Sequence, residues 1–102
     1  MSNEPSEFQL TVPDSVASDL DAVEMLRCWW SRGEPVMAIK PAFQDPRAYG
    51  GLLAIAARNI AYVYHAAKGL DEDETYRQVL SGLEAALAGP GYQTVAETKS
   101  EA

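Results

Sequence analysis

A chain of 102 residues, 47% of them apolar, has room for one domain and enough apolar content to fold it without disulfide or metal staples. No apolar run approaches the ~20 residues of a bilayer span, so no membrane association is expected. A formal net charge of −7 has the wrong sign for general nucleic-acid binding.

The acidic, polar start MSNEPSEFQL does not read as a secretory signal, and the single Cys28 provides no disulfide framework. Together they lead to an expected cytoplasmic setting. Charge is unevenly spread. Residues 1–24 carry six acids and no base, residues 25–68 six bases against Glu34 and Asp45, and residues 69–102 seven acids against Arg77 and Lys99. The basic middle either pairs with the acidic ends inside the fold or forms a surface for an anion or a partner.

Residues 1–6 are polar and are expected to be disordered; residues 7–89 read as the domain and 90–102 as a mobile tail. Phe8, Leu10 and Val12 alternate with polar residues, a short strand pattern over 8–12 that Pro13 stops. Residues 13–22 read as a turn or short helix, with Val16, Ala17 and Leu20 as its inner side. Two apolar runs follow, 23–30 and 35–40, separated by Ser31-Arg32-Gly33-Glu34, which suggests a β-hairpin. With Trp30 opposite Pro35, one face is wholly apolar: Leu26, Cys28 and Trp30 with Pro35, Met37 and Ile39. The other holds Met25, Arg27, Trp29, Val36, Ala38 and Lys40. Slipping by one residue places Glu34 beside Trp30 and Arg27 beside Met37, which costs more because it buries unpaired charge. A helix over 23–30, ended by Gly33 and Pro35, is the competing reading.

Asp45-Pro46 is a helix start, with a cap residue and a proline at the first helical position, where its missing N–H costs nothing. From there Tyr49, Leu52, Leu53, Ala56, Ile60, Val63, Tyr64 and Ala67 fall in one stripe of a helix over 46–68, which Gly69 ends. A second helix, 72–88, is capped by Asp71 with Glu74 three residues on. The two-residue link Gly69-Leu70 turns it back on the first. The expected fold is α+β: a small antiparallel sheet, which a strand at 8–12 can extend, packed by its apolar face on a two-helix hairpin.

The stretch Asp45-Pro46-Arg47-Ala48-Tyr49-Gly50-Gly51-Leu52-Leu53, then Ala57-Arg58, following Leu26-Arg27-Cys28-Trp29, resembles a family of small bacterial proteins known only as a domain of unknown function. The resemblance spans about residues 23–88. It implies the same order of segments and a bacterial, cytoplasmic setting, and it carries no catalytic residues. Trp29-Trp30 departs from it, one aromatic followed by a smaller residue being the expected pattern.

For chemistry the chain offers little. One cysteine and one histidine do not make a zinc site, and Asp71-Glu72-Asp73-Glu74 lacks the glycine and distal glutamate of a calcium loop. No metal or cofactor is expected. Cys28 on the apolar face reads as a core residue and His65 as a surface one, so they do not form a nucleophile–base pair. Gly50-Gly51 inside a helix costs about 1–2 kcal/mol relative to alanines, which suggests close approach of another backbone, from this chain or a neighbouring subunit.

The anomaly is the second hairpin face, where tryptophan and two cations stand in place of outward Thr, Lys and Glu. It is covered by residues 8–22, with Asp19 or Asp21 meeting Arg27; or it joins two copies as a homodimer; or Trp29 stacks on a small anionic ligand held by Arg27 and Lys40. The candidate ligand or interface residues are Met25, Arg27, Trp29 and Lys40, with Arg58 and Tyr62 on a second surface of the long helix. The leading expectation is a non-enzymatic interaction or self-associating module. A binder of an anionic ligand comes next, and a metal-independent enzyme third.

Overall fold

The computed structural model describes residues 9–89 and 98–100. The expectations for residues 1–6 and for most of the tail fall outside them. The element order is α1 (Asp14–Ala17), β1 (Leu26–Ser31), β2 (Glu34–Ile39), α2 (Arg47–Lys68), α3 (Glu72–Ala88) and β3 (Thr98–Ser100). The α+β class holds, with a three-stranded sheet in the order β1-β2-β3.

The hairpin forms in the register that burial cost favours: Leu26 pairs with Ile39, Cys28 with Met37 and Trp30 with Pro35. Arg32 and Gly33 both have positive φ, 54° and 77°, the pattern of a two-residue turn whose twist matches that of the strands. The pair flanking such a turn is hydrogen-bonded and pairs then alternate. Pro35 therefore falls at a non-bonded position and its missing N–H breaks no bond to β1. At the far end Lys40 N donates to Met25 O at 3.0 Å, in step with that alternation.

Two corrections concern the sheet. Residues 9–12 form no strand. The third strand comes instead from Thr98–Ser100, which the sequence places in a tail, and it runs parallel to β2 (Met37 beside Thr98, Ile39 beside Ser100). The sheet is thus mixed rather than antiparallel. A parallel neighbour needs a long crossover, and the helical hairpin lies between β2 and β3 in the chain. β2 becomes the central strand, half-buried from Pro35 onward, while every residue of β1 is exposed.

Asp45 accepts the Arg47 N–H at 2.9 Å, and Pro46 already has helical angles, so the cap expected from the sequence works from the residue before the proline. Gly69 closes α2 in the left-handed region at φ 70°, its N–H bonded to His65 O. Asp71 caps α3 by accepting from Glu74 N at 2.9 Å; the Glu74 side chain pairs with Arg77 rather than reaching back. Nothing lies within 4 Å of where a Cβ would stand on Gly50 or Gly51, so no described part of this chain supplies the expected close backbone approach.

The layers meet differently from the sequence expectation. The strands pack with one another, and α2 packs with α3. Among the described residues the only buried apolar side chains are Ala57 and Ala61, with Thr75 opposite on α3. The sheet's apolar face stays open: Leu26, Cys28 and Trp30 are exposed, so Cys28 is no core residue. Val16 and Leu20 of the 13–22 segment are exposed as well. One side chain ties α2 to the strand ends. The Tyr49 hydroxyl donates to Lys40 O and lies 3.3 Å from Met25 O, while its ring meets Phe43 edge-on at 5.1 Å.

Tyr49→Phe keeps the ring contact and removes the hydroxyl. The variant is expected to lose about 1 kcal/mol of stability, read as a lower urea midpoint at unchanged slope. An unmoved midpoint would show that the hydroxyl is not a joint between the layers.

Candidate functional site

The outer hairpin face and the segment leading into it form one open hollow of about 580 Å³. Strand alternation sends Arg27 and Trp29 to the same side, the Met25–Lys40 pairing closes its base, and Ala22, Val23 and Glu24 form its wall. Four of the six residues singled out from the sequence, Met25, Arg27, Trp29 and Lys40, are thereby brought together. Trp29 remains 46% exposed, so the preceding segment borders this face without covering it.

The charge partner differs from the expected one. Arg27 pairs with Glu24, three residues before it, its Nε donating to Glu24 Oε1. Asp19 instead accepts the backbone N–H of Asp21 at 2.9 Å. A carboxylate three residues away needs no tertiary folding to reach the guanidinium, and this local partner wins. Glu24 could have been found from the sequence, as the nearest acid before Arg27.

Arg58 and Tyr62, the other two candidates, lie on α2 and not at the hollow. Arg58 joins the helices: its Nη2 is 2.9 Å from Glu72 and 3.1 Å from Asp73, and its guanidinium lies 4.9 Å from the centre of the Tyr76 ring. The acids at the start of α3 thus serve as cap, dipole partners and clamp. Tyr62 is exposed. His65 lies at the turn, its Nδ1 2.8 Å from Leu70 O, whereas Cys28 is in β1. Among the described residues no group of three His, Cys, Asp or Glu could hold a metal ion, and no helix is long and apolar enough to cross a membrane.

The hydrogen bond from Arg27 holds the Glu24 carboxyl below the usual glutamate range, and Glu24 raises Arg27 in return. A carboxyl lowered in the folded state favours folding above its unfolded pKa, and that contribution disappears as the pH falls through the lowered value. Replacing Arg27 with Ala should return Glu24 to its ordinary titration, followed by NMR of the side-chain carboxyl. A Glu24 titration identical in the variant would mean that the pair does not form in solution.

Over residues 9–91 the chain matches the family described as a domain of unknown function (DUF5076). A solved structure from the photosynthetic bacterium Rhodopseudomonas palustrus CGA009, provisionally named a pyruvate dehydrogenase, is similar to it. The two share 31% identity over 94% of this chain and 97% of that one, with a TM-score of 0.67. No curated protein matches. The match begins before the hairpin and takes in both long helices, so this chain belongs to the DUF5076 family.

Proposed function

We propose that this protein is a non-enzymatic, self-associating module whose apolar core is completed by a second copy. The observation that carries this reading is how little the described residues bury: Ala57 and Ala61, and no larger apolar side chain. A 102-residue domain ordinarily encloses several large side chains. Here Leu53, Ile60, Val63, Tyr64, Leu83 and Leu87 of the helical hairpin are all exposed. Fully burying one such side chain contributes about 1.5–3 kcal/mol. Covering the exposed half of six on each of two copies would give on the order of 10 kcal/mol. That is comparable with the roughly 4–15 kcal/mol lost in association, so a stable pair is within reach. A bacterial, cytoplasmic setting fits a lone exposed thiol and the bacterial source of the related structure.

A small anionic ligand is the second reading, supported by Trp29, Arg27 and Lys40 around one hollow. Glu24 stands in the same hollow and already neutralises Arg27, which weakens it for an anion. An enzymatic reading has only the provisional name of the Rhodopseudomonas chain behind it, and no residue here is assigned by that name.

Light scattering on the eluting protein should give about twice 11.1 kDa at micromolar concentration. A single 11.1 kDa species up to high concentration would end the self-association reading. For the ligand reading, an anionic metabolite should raise the melting temperature of the protein and not that of Arg27→Ala; equal shifts in the two would remove its support.

A further inference from the structure

Resting on the self-association reading, we propose that the surface joining the two copies is the apolar stripe of α2, packed antiparallel on the same stripe of a second copy. The sheet face around Trp29 then lies outside that interface.

The stripe is uncovered in the single chain. Leu53 is 55% exposed, Ile60 45%, Val63 58% and Tyr64 43%. Helix α3 packs on Ala57 and Ala61 instead, about a quarter-turn around the helix. Burying these four side chains completely on both partners removes on the order of 800 Å², which flanking residues must extend to reach the roughly 1,000 Å² of a specific interface.

The order of residues suits a two-fold axis. A symmetric contact maps residue i onto j and j onto i. With the axis crossing the stripe at the level of position 58, on the side of the helix away from the Arg58 side chain, Leu53 falls opposite Val63, Leu52 opposite Tyr64 and Ile60 opposite Ala56. Any stripe at helical spacing can be reversed in this way. Here, in addition, the bulk of Ile60 meets the small Ala56 twice near the axis, which allows the close approach that packed helices need.

Charge points the same way. Two copies at −7 repel one another, and helix α2 contains no Asp or Glu. Its arginines are already matched within the chain, Arg47 by Asp45 and Arg58 by Glu72 and Asp73, and Lys68 lies over the Tyr64 ring at 5.9 Å. The stripe itself has no charged side chain, so burying it against its mate desolvates none of its own, and Lys68 stands beside it over Tyr64. The sheet hollow would instead bring two Glu24–Arg27 pairs into the contact.

The test uses the full chain. Light scattering is run on the wild type, Ile60→Glu and Trp29→Ser, with circular dichroism to confirm folding. In parallel, a tagged chain carrying Ala56→Cys is mixed with one carrying Ile60→Cys, both with Cys28→Ser, and oxidised. Expected are a dimeric wild type, an Ile60→Glu protein whose dissociation constant rises about 100-fold or more, a dimeric Trp29→Ser protein, and a disulfide between the two tagged species. A dimer that survives Ile60→Glu, or no cross-link between positions 56 and 60, overturns the α2 interface while self-association stands. A wild type that is monomeric throughout overturns both. If Ile60→Glu fails to fold, the cross-link alone decides.

Discussion

Among the described residues one tyrosine ties the sheet to the helices, and the arrangement is governed by where the apolar surface can go. A sheet face and a helical stripe that cover each other form the usual core of an α+β domain. Here the hairpin's apolar face holds Trp30 in the open, and α2 turns Leu53, Ile60 and Val63 to solvent. Alanines at 57 and 61 let α3 approach α2 closely, but they contribute little buried area. The hydrophobic effect is proportional to area removed from water, so the described residues gain little from it among themselves.

Polar interactions define the geometry that remains. Tyr49 bonds to backbone carbonyls at the very place where β1 and β2 end, so the start of α2 is held at the base of the hairpin. Arg58 reaches two acids in the first turn of α3 and the face of Tyr76, which orients the helical hairpin. Such contacts are directional and individually modest. They specify an arrangement well and stabilise it weakly.

The sheet is asymmetric for a related reason. β2 has a neighbour on either side, while β1 is an edge with all six residues exposed. Edge strands are a liability that charge can limit. Arg27, paired with Glu24, places a compact charge pair on this edge strand beside Trp29. The hollow is thereby part apolar and part ionic, less suited to wholesale burial than the charge-free stripe on α2.

Much of this molecule was legible in local sequence. The hairpin pairing matches the two-residue turn at Arg32-Gly33, the helix starts follow from Asp45-Pro46 and Asp71, and the helix turn from Gly69. Each depends on a few neighbouring residues and on backbone rules that act without the rest of the fold. Four of the six candidate residues line one hollow because strand alternation puts them on one side. Tertiary structure decided what depends on distant partners. It added Thr98–Ser100 to the sheet in place of residues 9–12, because a parallel strand becomes possible only after two helices have carried the chain back. It turned Arg58 from a surface candidate into a clamp on α3, and it left Cys28 exposed. Periodicity identifies which residues form an apolar face, whereas what covers that face is a property of the three-dimensional neighbours, within the chain or in a second copy of it.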